Sequence, residues 1–105
     1  MNTIDTTTTD EKGLREALKG DYGTYSTSDG IVVTKAGRLA IIWGAFGSDV
    51  EVVKIPPFPS RFPVLFSTDG NACGSVIEPM QGQADVPSAI RGNRFTIMGF
   101  VLLNT

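Results

Sequence analysis

Two stretches of the chain are apolar at nearly every position. In residues 38–46, Leu39, Ile41, Trp43 and Ala45 fall on one side of an extended strand, and Ala40, Ile42 and Phe46 fall on the other. Near the end of the chain, Phe95, Ile97, Val101 and Leu103 oppose Met98, Phe100 and Leu102. Strands of a simple two-layer β protein alternate apolar and polar residues, because one face meets the core and the other meets water. A strand that is apolar on both faces therefore predicts cover on both. In a chain of 105 residues the second cover is expected from another subunit. The competing reading is that loops of the same chain fold over central strands.

The rest of the pattern is β-rich and heavily punctuated. Ser28-Asp29-Gly30 predicts a turn into Ile31-Val32-Val33-Thr34, and Lys35-Ala36-Gly37 predicts a second turn into residues 38–46. Together these read as a β-hairpin. Gly47-Ser48-Asp49 leads into a strand over residues 50–55. Residues 56–63 carry four prolines, too many for a central strand. Val64 to Ser67 resumes the β pattern, Asp69-Gly70-Asn71 turns, and Ala72 to Ile77 predicts another strand. Residues 78–93 are broken by Pro79, Gly82 and Pro87 and read as a long irregular stretch before a last strand over 94–103.

The first residues differ. Residues 1–9 are polar and rich in threonine, which predicts a disordered lead or a connector and no signal peptide. Thr8-Thr9-Asp10-Glu11 fits a capping box, Leu14, Ala17 and Leu18 share a helical face, and Gly20 supplies a stop. A short helix over residues 10–19 is expected, with a stripe too narrow to stand alone. The sequence thus predicts a mainly β protein: a short antiparallel β-sandwich over 21–105, preceded by a polar connector and short helix over 1–20, and oligomeric.

Composition narrows function by exclusion. The net charge is −2, and nine scattered Lys and Arg are outnumbered by eleven Asp and Glu, so nothing favours nucleic acid. No apolar run approaches the roughly 20 residues of a membrane span, so no membrane insertion is expected. Cys73 is the sole cysteine and reads as a small buried apolar residue. No histidine is present, which removes the common catalytic triads and the commonest metal ligand. The carboxylates follow no glycosidase or calcium-loop pattern. The expectation is a non-enzyme without cofactor or metal. Trp43 in its apolar strand is expected in the core, and Gly44 beside it would admit a second backbone at close range.

Binding residues are then sought in loops, where function gathers on a β scaffold. Residues 21–25 offer Tyr22 and Tyr25. The turn at Asp69 and Asn71 offers short polar groups. Residues 80–85 offer Gln81, Gln83 and Asp85, followed by Arg91, Asn93 and Arg94. Such groups suit carbohydrate hydroxyls or a polar protein surface.

The order of elements resembles a known family. A strand ends in Ala40-Ile41-Ile42-Trp43-Gly44. Residues 50–59 then run as Val-Glu-Val-Val-Lys-Ile-Pro-Pro-Phe-Pro, Phe62-Pro63-Val64-Leu65-Phe66 enters another strand, and Arg94-Phe95-Thr96-Ile97-Met98-Gly99-Phe100 closes the chain. Over about residues 22–105 this is similar to the C-terminal receptor-binding domains of phage tail fibres, which share an H-type-lectin-like β-sandwich. Trp43, Gly44, Pro57, Phe58 and Pro59 match as scaffold, and no ligand residue carries over by identity. The resemblance implies a homotrimer in the virion, at the tip of a tail fibre assembled in the host cytoplasm. Its partners would be the rest of the fibre and a bacterial cell-surface glycan or outer-membrane protein bound during host attachment. The alternative is a structural virion protein that binds only other phage tail components.

Overall fold

The computed structural model describes residues 2–4 and 22–103. Its strands, in chain order, are β1 (Asn2–Ile4), β2 (Tyr22–Ser26), β3 (Val32–Ala36), β4 (Leu39–Phe46), β5 (Val52–Lys54), β6 (Phe62–Thr68), β7 (Asn71–Ile77), β8 (Gln83–Asp85) and β9 (Phe95–Leu102). A seven-stranded sheet takes the order β1-β2-β3-β4-β9-β6-β7, and β5 and β8 form a separate two-stranded ribbon. β1 runs parallel to β2, and every other pairing is antiparallel.

The mainly β expectation holds, and no helix forms among the described residues. The helix expected over residues 10–19 lies outside them, as does most of the polar lead. Asn2–Ile4 is an exception to the connector reading, since it adds an edge strand against Gly23–Tyr25.

The expected 31–46 hairpin forms with a shifted turn. β3 continues through Ala36, and only Gly37 and Arg38 turn. Gly37, at a φ of 61°, takes the first central position that a tight hairpin turn gives to glycine. The strand can therefore extend through Lys35, whose side chain turns inward and is 4% exposed. Pro63 lies inside β6, against the expectation for the proline-rich segment. It pairs with Val76 on one side, while the ladder to β9 starts only at Val64. A proline is tolerated where a strand has no partner on its nitrogen side. The irregular stretch expected over 78–93 contains β8, whose three residues pair with β5.

The closing strand is the centre of the sheet. β9 pairs with β4 from Leu39↔Leu102 to Phe46↔Phe95, and with β6 from Val64↔Gly99 to Ser67↔Thr96. Its inward residues Phe95, Ile97 and Val101 join Ile42, Val64 and Phe66 in the core. The ribbon and the segments around it cover this face, for Val53, Ile55, Phe58, Ala84, Val86 and Ile90 belong to the same buried cluster. Phe66 and Phe95 meet with ring centroids 5.9 Å apart, and Phe58 and Phe62 pack edge to face at 5.4 Å.

Two glycines make this packing possible. A Cβ on Gly44 would lie 2.8 Å from the carbonyl oxygen of Gly30. The close backbone approach expected beside Trp43 is thus made by the turn that precedes β3. A Cβ on Gly99 would lie 2.7 Å from Val64 Cγ1 and 2.8 Å from the carbonyl oxygen of Pro63.

Among the described residues, the other face of the sheet has no such cover. Ile41, Trp43, Leu65, Met98, Phe100 and Leu102 are between 37% and 61% exposed. Among the described residues, loops do not fold over the doubly apolar strands on this side. Trp43, expected in the core, is 40% exposed on this outer face. Its position follows from period two: Ala40, Ile42 and Gly44 take the inward places of β4, so Trp43 turns out.

Candidate functional site

At one end of the sheet the chain leaves an open concavity of about 760 Å³. Three segments build it: the last residues of β4, the β6–β7 turn, and the entry to β9. Each is placed by local chemistry. Asp69 and Gly70 turn the β6–β7 hairpin, with Gly70 at a φ of 81°, a conformation that glycine adopts without strain. Asn93 donates its amide nitrogen to the carbonyl oxygen of Ile90 at 3.2 Å, which holds the loop before β9 and leaves its side-chain oxygen as an acceptor. The Thr68 hydroxyl donates to the Arg94 carbonyl at 2.6 Å and ties hairpin to loop.

The lining is mixed. The half-buried Phe46 offers the open aromatic surface and stacks on the buried Phe95 with centroids 5.3 Å apart. Asp69, Asn93 and Arg94 stand around it, with Ser67, Thr68 and Thr96 between them. No ion pair joins Asp69 to Arg94 among the described residues. The site therefore presents a carboxylate, an amide oxygen and a guanidinium above an aromatic surface. That combination can accept and donate hydrogen bonds to hydroxyls while a ring packs against C–H groups. Among the described residues, no group of three His, Cys, Asp or Glu side chains could hold a metal ion.

The candidates named from the sequence separate into groups. Asp69 and Asn93 meet in the concavity, together with Arg94. Asn71 opens β7 beside it and donates to the Ala89 carbonyl at 3.5 Å. Arg91 is engaged elsewhere, donating to the Val86 carbonyl at 3.0 Å and lying 4.0 Å from Glu51. Gln81 is used locally: its side-chain oxygen accepts from the Glu78 amide at 2.8 Å and its nitrogen donates to the Gln83 carbonyl at 2.6 Å. Gln83 accepts from Lys54 Nζ at 3.3 Å, and Asp85 ends the ribbon strand opposite Val52. These three residues shape and flank the ribbon and do not line the concavity.

The two tyrosines do not share a loop. Residues 22–26 are a strand, so Tyr22 and Tyr25, three positions apart, point to opposite faces. Tyr25 is fully buried in the core and is not available to an external ligand. Tyr22 is 61% exposed, in register with Ala36. Through Leu39 and Leu102 that row lies at the end of the sheet opposite Phe46 and Phe95.

Sequence reasoning missed Phe46, Thr68 and Phe95 as site residues. The signal available was that Phe46 and Phe95 lie at the ends of the two doubly apolar strands, where antiparallel pairing would bring them together. Among the described residues, no helix is long and apolar enough to cross a membrane. No family model, curated protein or solved structure matches the chain.

Proposed function

We propose that this chain is the receptor-binding tip of a phage tail fibre, a trimeric lectin-like β-sandwich that attaches to a bacterial surface glycan or outer-membrane protein. The observation that carries the reading is the concavity, where Asp69, Asn93 and Arg94 are gathered over the Phe46–Phe95 pair. Attachment needs a rigid platform with hydroxyl-binding groups at one end, and it needs no acid, base or metal. A trimer would present three such sites, and multivalency raises avidity by about 10²–10⁴ over a single weak site. The resemblance in residues 40–44, 50–59 and 94–100 supports the same assignment.

The test is binding of the whole chain to an array of bacterial surface polysaccharides and to labelled cells. The double variant Asn93→Ala, Arg94→Ala should bind at least tenfold more weakly, with an unchanged circular dichroism spectrum. Retained binding would move the site away from this end of the sheet. Absence of any glycan or cell binding by the wild-type chain would favour the second reading, a structural virion part. The exposed apolar face of the sheet is the observation on that side, since it suits contact with protein better than contact with sugar.

A further inference from the structure

We infer that the outer face of the main sheet is the surface on which a second copy of this chain docks. This deepens the assembly part of the reading above and does not depend on its receptor part.

The first observation is charge. The chain has nine Lys and Arg and eleven Asp and Glu. None occupies an outward position of β2, β3, β4, β9, β6 or β7. Lys35, the charged residue of β3, faces inward. A solvent-facing side of a sheet normally carries polar and charged residues. A face without charge has nothing to steer a charged partner, and two copies of it meet without like-charge repulsion.

The second observation is continuity. Trp43 stands opposite Met98, and Met98 stands opposite Leu65 on its other side. One side-chain repeat along the strands, Ile41 stands opposite Phe100, and one further, Leu39 stands opposite Leu102. The apolar side chains are therefore neighbours across three adjacent strands, not scattered singly.

The third is area. From their exposed fractions, Ile41, Trp43, Leu65, Met98, Phe100 and Leu102 present roughly 600 Å² of apolar surface. That is at the upper limit for the largest patch on an ordinary monomer. It supplies most of the about 800 Å² that each partner contributes to a standard interface, before the smaller side chains around it are added.

Trp43 makes the test direct. It is the sole tryptophan and lies on the proposed interface, so its emission reports docking without any substitution. Solution mass by light scattering and Trp43 fluorescence are followed together from low to high micromolar concentration. The expected result is a multiple of 11.2 kDa, threefold for a trimer, with blue-shifted emission that reverts on dilution to 11.2 kDa. Phe100→Lys and Leu65→Lys, both at exposed positions on different strands, should each hold the mass at 11.2 kDa with the β spectrum retained. Val52→Lys, at an exposed apolar position on the ribbon, should assemble as the wild type does. A wild-type mass of 11.2 kDa at every concentration overturns the inference. So does assembly that leaves Trp43 emission unchanged, which would place the contact elsewhere. Glycan binding read on the same samples separates the two proposals: an assembled chain that binds no glycan retains this interface and loses the receptor reading, and a glycan-binding monomer does the reverse.

Discussion

The two faces of the main sheet are built from the same strands and nearly the same residue types, yet they have opposite fates. On the inner face Ile42, Phe66 and Ile97 are sealed beneath the β5–β8 ribbon and the loops around it. On the outer face Ile41, Leu65 and Met98, each next to one of those residues in the sequence, remain open. Apolar character alone thus does not decide burial. Burial is decided by whether the connections between strands cross that side of the sheet. Here the 47–61 connection contributes Val53, Ile55 and Phe58 and the 78–94 connection Ala84, Val86 and Ile90 to the inner face, and the hairpin turns at Gly37 and Gly70 are too short to cover anything.

The largest contrast should come from phenylalanines on the two sides. Phe66 is fully buried and touches the Phe95 ring, so Phe66→Ala should destabilise the fold by about 3–5 kcal/mol through lost transfer energy and a cavity. Phe100 is 53% exposed, and Phe100→Ala should cost below about 1 kcal/mol for the separated chain. Urea unfolding at concentrations low enough to keep copies apart measures both. Equal losses would mean that the outer face is already covered within one chain.

A smaller contrast lies in the backbone. Gly99 faces inward on β9, and its missing Cβ is the space that Val64 and the Pro63 carbonyl occupy. Gly99→Ala must push Val64 or separate β9 from β6, and overpacking of this kind typically costs about 1–3 kcal/mol. The loss should appear in the urea midpoint without a change in slope. An unperturbed midpoint would show that β6 shifts freely against β9, contrary to a core set by close strand approach.

Much of this arrangement was legible in the sequence, for a physical reason. Period two in residues 39–46 and 95–103 assigns the side chains to faces, and turn chemistry at Gly37 and Asp69-Gly70 marks the hairpins. What could not be read was which strands would be neighbours across long gaps. β9 inserts between β4 and β6, and no local signal encodes a pairing that must close a loop of some fifty residues. The same gap hid the candidate site, because Phe46, Asp69 and Asn93 come together only after that insertion. β8 escaped notice because Ala84 is its sole inward residue, too little for a pattern. The tyrosine pair misleads for the opposite reason: residues 22–26 have the composition of a loop but form a strand, and odd spacing in a strand divides its residues between two environments.

The smallest effect should have the opposite sign and should come from the open face. Gly74 sits on β7 in register with Leu65, and a Cβ there would meet nothing nearer than the Val64 carbonyl oxygen at 4.0 Å. Its φ is not in the left-handed region that favours glycine. Glycine in a strand interior is therefore kept here without a steric reason, at a loss of about 0.5–1 kcal/mol relative to alanine. Gly74→Ala should stabilise the fold by that amount, read as a higher urea midpoint at unchanged slope. If stability falls instead, something already rests on the outer face beside Leu65 in the folded chain. The difference between Gly99→Ala and Gly74→Ala, one residue type on two sides of one sheet, would then measure how unequal the covers are.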